Sequence, residues 1–393
     1  MVEKGVGFPL AGLKVLDFSR VVAGPYATRM LSDLGAEVLK VEPPKGDVTR
    51  KLGRQGDGVS GYYLQKNIGK RNISIDMKAE GARDLILKLA AKADIVVENF
   101  RPGVMDKFGI GWNDLSQINP RLIMLSISGY GQTGPDRKKA AYAPVLHAET
   151  GLIARQAEIS GGAPTDIQLA LGDSYSSLHG VIAILSALRV LDQTGEGQQI
   201  DLAMINVLHS VDDYAHWVLD DIWPKPEENS VWKAPGNREI LIVGDMKWIW
   251  HLFSKRDGLK DPTPDGADIA TKVEMRRQTM EKYILGHDSF EALTQTLDRL
   301  NLAWGEVHPF DKRIYDQPSA KTQAVVVEVE DDKGKPRQTI QSPYRFSSSE
   351  SGISSNTRTA KRGEDNVTAI QDWIGLEEDE ITELINRKVL MSE

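Results

Sequence analysis

Short apolar runs alternate with amphipathic segments along the first third of the chain. Helical spacing is clearest at 80–93, where Leu85, Leu89 and Ala93 recur every four residues and share one face. Two further segments with helical spacing lie at 26–34 and 112–118. The apolar runs that predict buried strands lie at 13–19, 36–42, 72–77, 94–100 and 122–128. Strands that alternate with helices favour right-handed crossovers, so the pattern predicts an α/β fold with a doubly wound parallel sheet.

The pattern changes after a long apolar segment. We expect a helix at 174–191, a strand at 200–204 and another helix at 205–221. Pro224 and Pro226 then stand among charges, which predicts a linker at 222–229. This predicts a large domain over 1–225 and a smaller α+β domain over 226–339. The later elements expected are a strand at 239–243, a helix at 288–300, a hairpin that begins at 324–329 and turns at Gly334, and a helix at 378–389.

Composition narrows the class of protein. The chain has 393 residues, of which 40% are hydrophobic and 26% charged, and this is typical of soluble globular proteins. A net charge of −8 argues against nucleic acid or a membrane surface as the main partner. Cysteine is absent, which excludes disulfides and thiolate nucleophiles. No signal peptide or long apolar span is visible in the sequence, so we expect no membrane-spanning helix and a cytoplasmic location.

A glycine motif at 129–134 (GYGQTG) matches the dinucleotide-binding fingerprint and follows a predicted strand. Pro135 and four charged residues come next, so no helix begins there to receive a phosphate at its N-terminus. We interpret the motif as a glycine-rich loop that lines a site. The chain contains no Gly-x-Ser-x-Gly elbow and no Walker loop.

Several metal-ligand residue types recur at helical spacing in the predicted helix at 205–221. They are His209, Asp212 or Asp213, His216 and Asp220. One helix rarely supplies a complete metal site, and a polar stripe is more often a solvated face. We therefore expect no metal.

Asp173 directly precedes the predicted helix at 174–191. Aspartate is a preferred N-cap, because its carboxylate accepts backbone N–H groups of the first turn. Position alone therefore indicates a helix cap. It does not separate Asp173 from Asp17 or Asp76 as a candidate for chemistry.

A series of short phrases is more distinctive than any single motif. They lie at 9–18 (PLAGLKVLDF), 22–25 (VAGP), 34–42 (LGAEVLKVE), 67–76 (NIGKRNISID), 93–103 (ADIVVENFRPG), 129–135 (GYGQTGP), 195–198 (GEGQ), 342–346 (SPYRF) and 362–365 (RGED). In this order they resemble the class III CoA-transferase family, which includes formyl-CoA and carnitine CoA-transferases. The resemblance covers nearly the whole N-terminal half and implies a Rossmann-like large domain.

The resemblance assigns Asp173 the role of catalytic nucleophile. It implies a CoA-transferase that moves CoA from an acyl-CoA donor, for example succinyl-CoA, to a carboxylic acid. Asp173 would form first a mixed anhydride and then an aspartyl-CoA thioester. The thioester energy is retained throughout, so the CoA thioester is a co-substrate and we expect no other cofactor.

Positions that match CoA contacts of the family are spread over several strand ends. By this matching, the CoA-binding residues are Val22, Ala23, Ile75, Lys78, Asn99, Phe100 and Lys107. Charge alone adds Arg101, Lys138 and Lys139 as partners for the phosphates of CoA. For each lysine, a solvated surface charge is an equally good interpretation. The family position after Glu42 is basic in formyl-CoA transferase and is Pro43 here, so the adenine end of the site is expected to differ.

Three further functions stay open at this point. The α-methylacyl-CoA racemases share the fold, but their catalytic histidine aligns by spacing with Tyr142, and tyrosine is a poor base at pH 7 because its pKa is near 10. Tyr142 is instead a candidate lining residue of the substrate pocket. Intramolecular CoA transfer within a dicarboxylate is the second of these functions, and the third is that of a non-catalytic subunit in a heteromeric transferase.

Assembly is also implied by the resemblance. Family subunits form an interlocked dimer, so we expect a homodimer or a related heterodimer, with 340–393 returning to the large domain. Family members use a mobile glycine-rich loop of the small domain as a lid over the site. This chain has only Pro235-Gly236-Asn237 at the corresponding place, so the presence of such a lid is in question.

Overall fold

The computed structural model describes residues 7–53, 58–222, 231–354 and 357–393. They form two compact units. Unit 1 contains Met1–His216 and Pro318–Glu393, and unit 2 contains Trp217–Gln317. The two boundaries predicted at 225 and 339 differ from these.

Unit 1 is built on a six-stranded, fully parallel sheet in the order β3-β2-β1-β4-β5-β6. Its strands are β1 (Lys14–Asp17), β2 (Glu37–Glu42), β3 (Arg71–Ser74), β4 (Ile95–Glu98), β5 (Ile123–Ser128) and β6 (Gln198–Ala203). The order reverses between β1 and β4, at the place where ligands of open parallel sheets usually bind. The predicted doubly wound parallel sheet is confirmed.

Helices cover both faces of the sheet. Those of the first 222 residues are α1 (Ala23–Asp33), α2 (Gly61–Asn67), α3 (Ala82–Ala90), α4 (Val104–Lys107), α5 (Trp112–Ile118), α6 (Ala143–Glu149), α7 (Leu152–Ser160), α8 (Leu171–Thr194), α9 (Met204–Ser210) and α10 (Ala215–Leu219), with a 3₁₀ helix at Val48–Lys51. Successive strand residues point to opposite faces, so Val15 packs with α1 and α8, whereas Leu16 packs with α3 and α5. Each face therefore has its own apolar core.

The chain returns to unit 1 after unit 2. This return contains α14 (Pro318–Thr322), β10 (Val326–Glu330), β11 (Pro336–Ile340), α15 (Asn366–Ile374) and α16 (Glu378–Asn386). The predicted hairpin is confirmed as the antiparallel pair β10–β11, but it belongs to unit 1. The hairpin belongs to unit 1 because its Val329 is buried with Tyr63, Leu64 and Ile68 around α2. The return thus begins before residue 340.

Unit 2 is an α+β unit. Its elements are β7 (Val231–Ala234), β8 (Arg238–Ile242), β9 (Trp304–Glu306), α11 (Met246–Arg256), α12 (Ile269–Leu285) and α13 (Phe290–Arg299), with a 3₁₀ helix at Lys312–Tyr315. The three strands are antiparallel, and Trp232, Ile240 and Phe253 lie in its apolar core. The Pro235-Gly236-Asn237 segment is the hairpin turn between β7 and β8, with φ of 76° at Gly236 and 57° at Asn237. The predicted linker at 222–229 lies outside the described residues, apart from Ile222.

Three helix predictions need correction. The first helix begins at Ala23 rather than at 26, because Pro25 falls in its first turn, where proline costs no hydrogen bond. The helix predicted at 205–221 is two short helices, α9 and α10. The long helix α8 begins at Leu171, not at 174.

Length and composition alone would allow α8 to cross a membrane, although the sequence predicts no membrane-spanning helix. Its Val181, Ile184, Ala187 and Leu191 are buried in the core that α8 shares with α1 and β5. The helix is thus a core helix of unit 1.

Candidate active site

Asp173 lies in the first turn of α8 and is not its N-cap. The N-cap is Ala170, whose side chain cannot accept a hydrogen bond from the helix. The expectation that Asp173 caps the helix is therefore wrong. Because Asp173 is the third residue of the helix, its side chain is available for other contacts, and it lines a cavity beside the sheet.

The Asp173 carboxylate lies near the first residues of α1 and α6, Ala23 and Ala143. Burial raises its pKa to about 6, although hydrogen bonds from the backbone N–H groups of Ala23 and Ala143 favour the charged form. The positive charge of Lys66 also lowers the pKa. At pH 7 the group is mostly ionised but less hydrated than a surface carboxylate.

The turn from β1 to α1 brings the Ala23 amide to this position. Asn99 at the end of β4 fixes the turn with two 2.8 Å hydrogen bonds to the backbone of Arg20. Val21 adopts φ of 69°, a left-handed conformation that is strained for a β-branched residue. Ser177 of α8 donates to the carbonyl of Ala23 at 2.7 Å, which ties the turn to the helix that carries Asp173.

A cavity of about 370 Å³ opens in front of Asp173. Its walls come from the loops that follow β1, β4 and β5 and from the segment before α6. Of the predicted residues, the structure brings Asn99, Phe100, Arg101, Lys139 and Tyr142 together with Asp173 in this cavity. The glycine loop contributes Gly129, on which a Cβ would lie 2.3 Å from that of Ala141. The interpretation of the 129–134 motif as a lining loop fits this geometry, since the next helix begins only at Ala143.

A second, cation-lined cavity of about 720 Å³ adjoins the first and shares Arg101, Pro102, Val104 and Arg137 with it. The predicted residues Lys107 and Lys138 line it, so four cations surround this space with Asp106 as the one carboxylate among its lining residues. Such a concentration of positive charge suits a polyphosphate.

Four of the predicted CoA-binding residues have other surroundings. Ile75 is buried at the end of β3, where it bridges to Leu390, and Lys78 is exposed nearby; neither lines the two cavities. Val22 and Ala23 are buried, and the latter reaches Asp173 only through its backbone.

Lys139 is engaged by a neighbouring acid. Its ammonium group forms an ion pair with Glu149, and the same carboxylate accepts a 2.6 Å hydrogen bond from Tyr130. The ammonium also lies 5.1 Å from the centre of the Tyr130 ring. Lys139 is therefore less available for a phosphate than Lys138.

The candidate metal ligands at 209–220 are not brought together. His209 lies on α9 and His216 on α10, and Asp212 between them accepts hydrogen bonds from Arg155 at 2.7 and 3.0 Å. Among the described residues, no group of three or more His, Asp or Glu side chains could hold a metal ion.

Sequence reasoning missed several residues around Asp173. Arg20 and Arg137 line the cavity, and Lys66 of α2 interacts with the carboxylate. Burial and Arg29 lower the pKa of Lys66 to about 8, while Asp173 opposes that shift. The only sequence signal for His147 is that it flanks Asp173 along the chain. Lys66 is far from Asp173 in sequence, and no local pattern marks it.

The sequence model of CoA-transferase family III matches residues 10–366. The chain belongs to CoA-transferase family III. This confirms the resemblance that the ordered phrases indicated.

Relatives within the family act on CoA thioesters of small acids, according to their names. The chain is 44% identical over 202 residues to the succinyl-CoA–L-malate CoA-transferase beta subunit of Chloroflexus aurantiacus, which covers 50% of this chain and 49% of the relative. It is 33% identical to the succinyl-CoA:mesaconate CoA-transferase of Haloarcula hispanica, over 68% of this chain and 73% of that one. The matched region spans about half the length of the first of these.

Solved structures support the family fold over nearly the whole chain. A CaiB/BaiF family protein from Brucella suis superposes with a TM-score of 0.77 and is 27% identical. The superposition covers 94% of this chain and all of the other. The large-unit sheet and the smaller α+β unit are thus shared with a member of known structure.

Proposed function

We propose that the protein is a CoA-transferase that uses Asp173 as its nucleophile and transfers CoA from an acyl-CoA, such as succinyl-CoA, to a carboxylic acid. The observation that carries this proposal is the position of Asp173, a partly buried carboxylate at the switch point of a family III sheet, beside a cation-lined cavity. Family membership supports the same chemistry.

The reaction begins when an Asp173 oxygen attacks the thioester carbonyl of the donor. The C–S bond breaks, CoA leaves as a thiolate, and a mixed anhydride joins Asp173 to the donor acyl group. The thiolate then attacks the aspartyl carbonyl carbon, which releases the donor acid and leaves an aspartyl-CoA thioester. The acceptor carboxylate reverses these two steps, and Asp173 is regenerated. No ATP or further cofactor is consumed.

The amides of Ala23 and Ala143 stabilise the step in which the thiolate attacks the aspartyl carbonyl. They act on the Asp173 carboxylate in the resting enzyme, where they lower its pKa. When the thiolate attacks the aspartyl carbonyl, negative charge develops on the oxygen that these N–H groups face. Fixed backbone donors stabilise such an oxyanion without having to reorient.

CoA occupies the adjoining cavity through its phosphates. Arg101, Lys107, Arg137 and Lys138 supply the positive charge. Asn99 and Phe100 act at the passage towards Asp173, where Asn99 also holds the β1 turn in shape. Arg101 lines both cavities, so it is the residue that we expect between the phosphates and the thioester.

The enzyme works as a dimer, either of two such chains or with a related chain. Outward-facing apolar side chains form a stripe along α8, and they are Tyr175, Leu178, Ile182, Leu185 and Val190. An exposed apolar stripe on a core helix is typical of a surface that another chain covers. Alpha and beta subunits are named among the relatives, which keeps a heteromer open. The cytoplasm is the compartment we expect.

Racemisation at Cα is disfavoured by the surroundings of Tyr142, the residue that matches the racemase histidine by spacing. Tyr142 is 67% exposed, so nothing holds its phenol in a buried, activated setting. His147 does not offer an alternative, because both of its ring nitrogens contact groups of the protein itself. Exchange of the Cα proton with deuterium in the absence of acyl transfer would favour the racemase.

The proposal is tested by incubating the protein with a panel of acyl-CoAs and recording its intact mass. We expect a covalent CoA adduct with a suitable donor, lost in Asp173→Ala and retained in Asp136→Ala, which removes an exposed carboxylate from the loop over the cavity. Because the pKa of Asp173 is about 6, adduct formation should decline as the pH falls below that value. An adduct that persists in Asp173→Ala would refute the assignment.

A further inference from the structure

His147 is fully buried on α6, one turn after Ala143. Its Nε2 accepts a hydrogen bond from the backbone N–H of Gly172 at 3.3 Å. Its Nδ1 lies 3.1 Å from a carboxylate oxygen of Asp166. The imidazole thus joins α6, the 162–170 segment and the start of α8.

These partners determine the tautomer of the ring. Nε2 must be unprotonated, because the Gly172 N–H group is the donor. A carboxylate can only accept, so the proton resides on Nδ1 and is donated to Asp166. In this state the ring is a neutral acceptor with a fixed orientation.

The contact supplies what the start of α8 lacks. The first N–H groups of a helix have no partners within the helix, and the N-cap side chain usually accepts one of them. Ala170 cannot do so, and the N–H that an N-cap side chain would satisfy, that of Gly172, goes to His147 instead. Asp173 is the next residue along the helix.

The same short helix also reaches the Asp173 side chain. The backbone N–H of Ala143, the first residue of α6, favours the ionised carboxylate, and Gly172 packs against Ala143, with 3.5 Å from the Ala143 Cα to a Cβ placed on the glycine. A shift of the first turn of α8 relative to α6 would therefore move the Asp173 carboxylate relative to the Ala143 amide.

We propose that His147 is a positioning residue, which caps α8 from outside the helix and thereby holds Asp173 in register with the Ala23 and Ala143 amides. Its effect on catalysis rests on the proposed function, whereas its effect on the helix start does not.

Two substitutions separate the two hydrogen bonds of the ring. In His147→Gln, the amide oxygen lies as many bonds from Cβ as Nε2 does, so it can accept the Gly172 N–H but cannot donate to Asp166. In His147→Asn, the amide nitrogen replaces Nδ1, so it can donate to Asp166 while Gly172 loses its acceptor. Both replacements are polar, which makes each the control for the other.

Hydrogen–deuterium exchange over residues 170–178 of the full chain is the first measurement. We expect exchange in His147→Asn to be roughly 5- to 10-fold faster than in the native protein, in keeping with the loss of one hydrogen bond, and exchange in His147→Gln to be close to native. Equal exchange in the two variants would overturn the proposal. If His147→Asn does not fold, Asp166→Ala, which frees the ring to protonate Nε2, should accelerate exchange in the same direction, and unchanged exchange there would overturn it.

The second measurement is the steady-state rate of CoA transfer as a function of acyl-CoA concentration. His147→Asn should lower kcat by about 10- to 100-fold with KM for the acyl-CoA changed less than about threefold, whereas His147→Gln should restore the rate. If the role of His147 were purely structural, both substitutions would lower kcat alike, and that result would refute the link to Asp173. If the native protein forms no adduct, the proposed function fails, and the exchange measurement still decides whether His147 caps α8.

Discussion

At the scale of single residues, the site depends on a carboxylate that is costly to keep ionised. Burial raises the pKa of Asp173, and two amides together with nearby positive charge only partly offset that effect. The opposite holds for the buried Asp17. Burial raises its pKa, but the charges of Lys70 and Lys40 lower it more, so the pKa falls to about 2. Two aspartates that look alike in sequence therefore have opposite electrostatic roles.

The raised pKa of Asp173 predicts a pH-dependent cost in stability. The unfolded chain ionises this group near 3.8 and the folded chain near 6, so the free energy of unfolding falls as the pH rises between these values. Asp173→Asn removes the cost and keeps an acceptor for both amides. We expect this variant to be more stable than the native protein by about 3 kcal/mol at pH 8 and no more stable at pH 3.5, as measured by urea unfolding.

The matched control for that experiment is Asp213→Asn, which alters an exposed carboxylate. Its stability should follow the native protein at both pH values. If Asp173→Asn raised the free energy of unfolding equally at pH 3.5 and pH 8, burial of the charge would not be the cause.

Sequence alone could not identify these residue roles. Asp173 is singled out by a family resemblance, because its spacing indicates only a cap. Its two amide donors come from Ala23 and Ala143, which lie far apart in the chain and meet at the switch point of the sheet. Side-chain patterns in the sequence do not indicate which backbone N–H groups will act as donors. They also do not predict the strained φ of Val21.

At the scale of elements, the start of α1 is as important as the start of α8. Gly24 follows Ala23 in the first turn, and a Cβ on Gly24 would lie 2.1 Å from the Cβ of Ser19. Ser19 cannot move aside easily, because it hydrogen-bonds Asp17 and its carbonyl accepts from Lys40 at 2.7 Å. Glycine is therefore required at this close approach.

Gly24→Ala should destabilise the protein by about 2 kcal/mol, since the overlap outweighs the better helix propensity of alanine. It should also slow adduct formation, because the Ala23 amide would shift. Urea unfolding measures the first effect and intact-mass kinetics the second. Gly305→Ala, where a Cβ meets nothing within 4 Å, is the control and should be close to native. Native stability in Gly24→Ala would contradict this account.

Element prediction succeeds where periodicity is strong and fails at the ends that form the site. The strands of the sheet and α5 follow directly from the apolar pattern. The helix predicted from 26 begins already at Ala23, because proline is tolerated in a first helical turn, and the cap predicted at Asp173 is wrong, because α8 has already begun at Leu171. Both errors concern helix starts, where tertiary partners replace local ones.

At the scale of the whole molecule, the exposed stripe on α8 predicts association. Ile182 lies in its middle and is 60% exposed. Ile182→Lys places a charge in the proposed interface, so light scattering should show a shift from dimer towards monomer. Val48→Lys changes an exposed apolar residue outside the stripe and should leave the mass unchanged. A native protein that is monomeric at micromolar concentration would refute the dimer.

The return of the chain to unit 1 has a consequence for how the protein is made. The backbone of β3 bonds Asp365, 293 residues further on, and Met391 donates to the carbonyl of Ser74. During synthesis, the sheet edge at β3 therefore stays incomplete until residues 365–391 have left the ribosome, while unit 2 emerges earlier and can fold as a loop tethered at both ends. The exposed edge in that interval is where a chaperone would be needed most.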